Sequence, residues 1–441
     1  MGRAEVREFL LDNNFLASDL DMDKELDNFL ASMQKGLSGQ KPPEAMRMIP
    51  TFLTLGKDVD LLDPVIVLDA GGTNFRICLA HFMQGGNTDV SLFRQSPMPG
   101  VGEEISKQEF YDFIIDHLEP YLEYSKKIAF CFSYPCEILP NHDGRIVSFT
   151  KELRIPEAVD TVVGEEMKRT LEERGHDTSD LQFVLLNDTV AALLGGFADT
   201  YKQQYSGYAS MVLGTGINSA YVEQNENIEK LEGDIYSLGN MIINMESGDY
   251  TVSERSDIDY EIDQSTNAPG MQILEKMISG KYLGLQALYT LKKACEDTEL
   301  FSEFFHENFA DVHDLEAAQL NEFLDAPYGT GILSQCCANE LDRENVYYII
   351  DNIFERAARL VTVMLCGIHI QMDAGKNPVQ PLAITVEGTT FYKSDLLRDK
   401  IKAHVKSFIN EKHGYYNIFL RVENANIKGS ALASLMNEDE D

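Results

Sequence analysis

The sequence predicts an α/β protein of two similar domains that share one cleft. Three observations carry that reading. A strand–glycine turn–strand unit occurs twice, over residues 65–80 with Gly71-Gly72 at its tip and over residues 210–223 with Gly214-Thr215-Gly216. Short β-branched runs alternate with amphipathic stretches around both units. Between them the run Phe183-Val184-Leu185-Leu186 passes straight into Asn187-Asp188-Thr189 and a small-residue helix over 190–197. Junctions of this kind, at the carboxyl ends of strands, are where α/β proteins place ligands.

Taken in order, residues 5–36 carry Phe9, Leu10, Phe15, Leu16, Leu26, Phe29 and Met33 at helical spacing, giving one or two amphipathic helices. Gly36, Gly39 and Pro42-Pro43 end them. Strands are expected at 65–69, 75–82, 90–94, 127–133 and 145–149. Helices are expected at 107–124 and 156–174, with Pro156 suited to a first turn. The second half is more helical, with helices at 270–295, about 301–325 and 344–372. A strand over 381–386, a helix over 394–411, a strand over 416–422 and a helix over 429–436 follow. The tail Asn437-Glu438-Asp439-Glu440-Asp441 is acidic.

The chain of 441 residues is long enough for two or three domains. Its hydrophobic fraction of 44% and charged fraction of 25% are those of a globular protein. A formal charge of −35 argues against nucleic acid or an anionic membrane as partner, because both recruit Lys and Arg. It leaves room for a single nucleotide, which needs only a local set of N–H groups and cations. The seven cysteines lie at 78, 131, 136, 295, 336, 337 and 366, without a zinc or disulfide spacing. The first residues carry charges early, and Val6 breaks a myristoylation motif. No stretch reaches the roughly 20 apolar residues of a membrane span. The expected location is the reducing cytoplasm.

The first glycine turn reads Leu68-Asp69-Ala70-Gly71-Gly72-Thr73-Asn74-Phe75-Arg76. Its backbone N–H groups and the Thr73 hydroxyl suit phosphate oxygens, and Asp69 at a strand end suits a hydrated cation. By itself the stretch is equally an ordinary hairpin. Asp188 is equally a helix N-cap.

Six further stretches follow that turn: Phe132-Ser133-Tyr134-Pro135-Cys136, Phe149-Thr150-Lys151, Leu186-Asn187-Asp188-Thr189, Leu213-Gly214-Thr215-Gly216-Ile217-Asn218, Asn244-Met245-Glu246-Ser247-Gly248 and Leu274-Glu275-Lys276-Met277. In this order the chain resembles the hexokinase family of ATP-dependent sugar kinases, from about Val65 to Gly429. The resemblance implies a two-domain actin-like ATPase fold, ribonuclease H-like, with a cleft between a small and a large domain. An N-terminal helical segment over 1–64 would pack on the large domain. Residues 65–187 would form the small α/β domain, joined by a C-terminal helix of about 429–441, and residues 188–428 the large one.

The resemblance also implies site roles. Asp188 would be the general base, with Lys151 also catalytic and Arg76 approaching the transferring phosphate on closure. Ser133, Thr150, Lys151, Asn187, Asn218, Glu246 and Glu275 would bind the hexose hydroxyls. Asp69, Gly71, Gly72, Thr73, Asn74, Gly214, Thr215 and Gly216 would hold ATP phosphates, with Gly388 and Gly429 flanking the adenosine. Magnesium would arrive on ATP, with Asp69 in its outer shell and no metal bound by the protein alone. The implied reaction phosphorylates a hexose, glucose first, at the 6-hydroxyl, opening glycolysis. A non-catalytic sugar sensor on the same fold is the alternative. In place of the family's usual Trp after Glu246 the chain has Ser247, and Ala425-Asn426-Ile427 replaces a glycine-serine-glycine stretch.

Overall fold

A computed structural model describes residues 2–55, 63–71, 74–83, 88–149, 153–200, 203–231 and 239–436. Two sheets of matching topology organise them. The first runs in the order Thr88–Pro97, Asn74–Phe82, Val65–Ala70, Lys127–Phe132, Gln182–Leu186. The second contains Asn240–Asn244, Ile217–Gln224, Gly207–Leu213, Leu382–Glu387, Asn417–Leu420, with Ile49–Pro50 added beyond Asn240–Asn244. In each sheet the hairpin strands are antiparallel and the last two strands are parallel to the hairpin's first strand. The repeated glycine turn is thus the visible part of a complete duplication.

The fifth strand of each sheet leads to a helix, and the two helices are exchanged. Asp188–Thr200 leaves the first sheet and packs on Gly207–Leu213 and Leu382–Glu387 of the second. Ala425–Met436 leaves the second sheet and packs on Val65–Ala70 and Lys127–Phe132 of the first. The two helices lie against each other so closely that a Cβ on Gly429 would fall 1.8 Å from the Ala191 carbonyl oxygen. One on Gly195 would fall 2.3 Å from that of Ala425. Around this pair a single apolar core joins Val65, Val67, Cys131 and Leu186 to Val190, Leu194, Ala431 and Leu435. The other face of the first sheet is covered by Lys107–Leu118 and Val163–Glu173 through Phe110, Ile114, Met167 and Leu171. The second sheet rests on the long helix Glu340–Met372, which also receives the N-terminal helices Gly2–Asp12 and Met22–Leu37 through Phe9, Phe29 and Met33.

Several sequence expectations need correction. The segment at 145–149 is instead Gly144–Ile146, paired with Cys136–Ile138 in a separate ribbon. The helix expected over 156–174 begins only at Val163, after a short turn over Pro156–Ala158 and a left-handed Asp160. The one over 270–295 is broken at extended Ser279 into Ile273–Ile278 and Gly280–Asp297. The one over 301–325 divides into Glu303–Ala310 and Ala317–Asp325, because the intervening chain presses the Leu315 carbonyl against Gly284. The last helix starts at Ala425, so Ala425-Asn426-Ile427 forms its first turn.

Candidate active site

The junction at 186–189 anchors the site. Asn187, not Asp188, caps the helix: its Oδ1 accepts the Thr189 N–H (2.9 Å) and its carbonyl accepts the Ala191 N–H (2.9 Å). Asp188 is the first residue inside the helix. Released from capping, its carboxylate accepts a hydrogen bond from Ser133 Oγ at Oδ2 (3.0 Å). Burial raises the pKa values of Asp69, Glu246 and Glu387, and the nearby charge of Asp188 adds to each.

On one side of Asp188 lies a half-buried amide–carboxylate network centred on buried Asn244. Asn218 Nδ2, on the returning strand of the second hairpin, donates to Asn244 Oδ1 (2.8 Å), Glu246 Oε1 (3.3 Å) and Asn187 Oδ1 (3.4 Å). Asn244 Nδ2 donates to Glu246 Oε1 (2.8 Å). Glu246 has left-handed backbone angles, φ 52° and ψ 52°. Burial pushes its carboxyl up to about 7, with further upward contributions from Asp249 and Asp188 against the amide of Asn244 and the charge of Arg47. Glu275 Oε2 accepts the Ile217 N–H (3.3 Å) and lies 2.6 Å from where a Gly216 Cβ would stand, which ties this network to the second glycine turn.

That turn is clamped. The Gly214 carbonyl accepts the Gly280 N–H (2.8 Å) and the Thr390 hydroxyl (2.8 Å), and the Thr215 carbonyl accepts the Lys281 N–H (3.3 Å). The break at Ser279 is what delivers the Gly280 N–H to it. Gly388 passes with φ +104°, and a Cβ there would meet the Leu213 carbonyl oxygen at 2.3 Å, so only glycine fits.

On the other side of Asp188 opens a cleft of about 970 Å³, lined from the first sheet by Asp69, Arg76 and Phe93, and from the second half by Glu387, Gly388, Tyr392, Arg421 and Asn426, among others. Asp69 is buried and pairs with Arg76 Nη1 (2.9 Å). Burial raises its pKa, and Arg76 opposes that rise. Gln95 links the pair to the turn, accepting from Arg76 Nε (3.3 Å) and donating to Asn74 Oδ1 (3.0 Å). The Gly71 N–H closes the turn onto the Asn74 carbonyl (3.0 Å), and Tyr134 Oη donates to the Gly71 carbonyl (2.8 Å). Arg421 lies over the Tyr392 ring at 4.7 Å.

The structure therefore groups Ser133, Asn187, Asp188, Asn218, Glu246 and Glu275 around the second hairpin, and Asp69, Gly71, Asn74, Arg76 and Gly388 around the cleft. Gly72, Thr73, Thr150 and Lys151 lie outside the described residues. Gly429 is not on the cleft wall; it faces Ala191 in the helix pair, and Lys428 pairs with Asp199 (2.5 Å). The wall expected there is made instead by Ala425, Asn426 and Ile427. Sequence reasoning quoted Asn244 and Glu387 within their stretches without giving either a role of its own, and did not single out Arg421. A polar residue at the carboxyl end of a strand was the available signal for Asn244 and Glu387.

Two solved structures match this architecture over nearly its whole length. The hexokinase from Schistosoma mansoni complexed with glucose superposes with a TM-score of 0.74 at 21% identity, covering 98% of each chain. A second hexokinase crystal structure gives 0.75 at 19% identity, covering 98% of this chain and 99% of its own. The fold is that of the two-domain, actin-like sugar kinases. Two sequence models, each described as hexokinase, match residues 7–197 and 208–436. The chain belongs to the hexokinase family. Among curated relatives, Hexokinase-2 of Arabidopsis thaliana is 29% identical over 78% of this chain and 73% of its own length. Hexokinase-1 of Schizosaccharomyces pombe is 25% identical over 93% and 86%. Hexokinase-2 of Rattus norvegicus is 27% identical over 92% of this chain, which spans 45% of that relative.

Proposed function

We propose that the protein is a hexokinase that transfers the γ-phosphoryl group of Mg-ATP to the 6-hydroxyl of a hexose, glucose first, at the entry to glycolysis. The observation that carries this reading is the place of Asp188, between a half-buried amide–carboxylate network and an open cleft lined by Asp69, Arg76 and Gly388.

Phosphoryl transfer asks the protein mainly for positioning and charge stabilisation. Asn187, Asn218, Glu246 and Glu275 offer the mixed donors and acceptors that hexose hydroxyls need, and Ser133 orients the Asp188 carboxylate. Asp188 takes the proton from the attacking hydroxyl. The glycine turns and Gly388 give phosphates close access to backbone, and Arg76 faces the transferring group. The buried Asp69 carboxylate, already held by Arg76, suits a hydrogen bond to metal-bound water better than direct ligation. Magnesium, when bound with ATP, neutralises phosphate charge. Tyr392 and Arg421 offer a flat polar surface to the nucleotide base.

In this reading residues 65–187 with the C-terminal helix move as a small domain against residues 1–64 and 188–428. Sugar binding closes the cleft and excludes water. The seven cysteines are free thiols, six of them buried, which supports a reducing, cytoplasmic location. Among the described residues no helix is long and apolar enough to cross a membrane.

The test is ADP release from Mg-ATP, first without sugar and then with glucose, mannose, fructose, galactose and N-acetylglucosamine. Sugar-dependent release supports the proposal and ranks the substrates. Stabilisation by glucose without turnover favours the sensor. Rapid hydrolysis without sugar favours an ATPase of the actin or Hsp70 type.

A further inference from the structure

Residues 41–50 lead out of the N-terminal helices and end in Ile49–Pro50, a short edge strand of the second sheet that lies outside every motif above. Ile49 pairs with Asn244, and the Met48 N–H donates to the Met245 carbonyl (3.1 Å), so this segment is sewn to the chain immediately before Glu246. It is held from behind as well. The half-buried Lys230 ammonium donates to the carbonyls of Gly36 (3.0 Å), Arg47 (2.8 Å) and Met48.

From this fixed backbone Arg47 Nε donates to Asp249 Oδ2 (2.7 Å). Asp249 is 4% exposed, and its second oxygen, Oδ1, is buried with no partner among the described residues. The Asp249 N–H in turn donates to the Glu246 carbonyl (3.0 Å), closing the turn that holds Glu246 in its left-handed conformation. Such a conformation persists in a glutamate only where the surroundings enforce it. The intervening Ser247 is fully buried, with an unpartnered Oγ; its backbone N–H donates to Asn218 Oδ1 (3.3 Å). Among the described residues the Ser247 side chain has no partner, and the Arg47–Asp249 pair ties the turn to the N-terminal segment.

We propose that Arg47 is a positioning residue for the hexose site: by holding Asp249 it fixes the Glu246 turn and supplies the positive charge that keeps the Glu246 carboxylate available to sugar hydroxyls. This rests on the hexokinase reading above and extends the site to the N-terminal segment. Besides burial, Asp249 and Asp188 disfavour the charge of Glu246, while the Asn244 and Asn218 amides and Arg47 favour it. Removing Arg47 leaves a buried carboxylate uncompensated three residues from the sugar ligand.

The experiment measures hexose-dependent turnover of the full chain from pH 6 to 9 for Arg47→Met, Arg47→Lys, Asp249→Asn and the Arg47→Met/Asp249→Asn double variant. Arg47→Met should raise the glucose KM about tenfold at pH 7, leave the ATP KM within about twofold, and move the pH midpoint of kcat/KM for glucose upward by about one unit. Arg47→Lys should restore most of the affinity, and the double variant should bring the midpoint back. Asp249→Asn alone should move the midpoint down, so the proposal is decided even if Arg47→Met does not fold. An unchanged midpoint in Asp249→Asn and in any folded Arg47→Met overturns it, whatever happens to the melting temperature. If the wild-type chain turns over no hexose, glucose titration calorimetry of the same variants at pH 6.5 and 8.5 decides the role of Arg47 independently. Absence of both turnover and glucose binding in the wild type overturns both readings.

Discussion

The two sides of the site are built on different principles. The side around the second hairpin is half-buried and cross-linked: Asn218, Asn244 and Glu246 hold one another, Glu275 accepts the Ile217 N–H, and the Gly214–Gly216 turn is clamped by Gly280, Lys281 and Thr390. The side around the first hairpin is open. Arg76 is 42% exposed at its side chain, and a Cβ on Gly71 would come no closer than 3.6 Å to the Asn74 carbonyl. A small neutral polyol is best distinguished by pre-formed buried partners, because a missing hydroxyl leaves one of them unpaired at a cost of about 1–3 kcal/mol. A large, charged nucleotide needs space and mobile cations. The duplication supplied two similar hairpins, and their surroundings made one a rigid template and the other an accessible rim.

The sharpest test of that contrast is the residue between the sides. Asp188→Ala should lower kcat by roughly 10³-fold, while glucose affinity measured by titration calorimetry stays within about threefold. Near wild-type turnover would remove the base assignment. The next test compares the two turns directly. Gly216→Ala drives a methyl into Glu275 and should raise the hexose KM by about 10–100-fold, about 1.4–2.8 kcal/mol. Gly71→Ala should change it by less than about threefold, since its Cβ makes only an ordinary van der Waals contact, 3.6 Å from the Asn74 carbonyl. Equal effects would abolish the distinction.

The half-buried side should also carry a pH signature. In the proposed role Glu246 accepts sugar hydroxyls best as a carboxylate, and its carboxyl is raised to about 7 by burial. As pH falls through 7 it protonates and an acceptor is lost, so the hexose KM should be about tenfold higher at pH 6 than at pH 8. In Glu246→Gln the affinity should be lower throughout and this pH dependence should disappear from the KM profile. The smallest effect on chemistry is expected at Gly429. Gly429→Ala should destabilise the fold by about 1–3 kcal/mol through overpacking against Ala191, while the ATP KM at 25 °C stays unchanged. A changed ATP KM with an unaltered melting curve would return Gly429 to the nucleotide.

What was legible in the sequence follows the same division. Turn glycines flanked by short apolar strands, and a polar junction between strand and helix, are local signals, and they located both hairpins and Asn187-Asp188. The network partner Asn244 was not singled out, because its role comes from the pairing of Asn240–Asn244 with Ile217–Gln224, a non-local contact. Arg47 was harder still, since its partner lies 202 positions away. Breaks in helices were misread where tertiary contacts impose them: Ser279 interrupts an otherwise continuous helical pattern because Gly280 must reach Gly214. Gly429 was read as a ligand residue from its motif, whereas the helix pair uses its missing side chain for packing.

The exchanged helices have a consequence for the order in which the molecule can be completed during synthesis. The strands of the first sheet leave the ribosome early, yet part of the face bearing Val65, Val67 and Cys131 is sealed by Ala431, Leu432 and Leu435 from the chain's last described helix. The first half must therefore wait, with that surface incomplete, while the second half is translated. The second sheet, by contrast, receives Asp188–Thr200 already made. Premature termination anywhere before Ala425 would leave an apolar sheet face uncovered in the half that folds first, a substrate for chaperones and proteases.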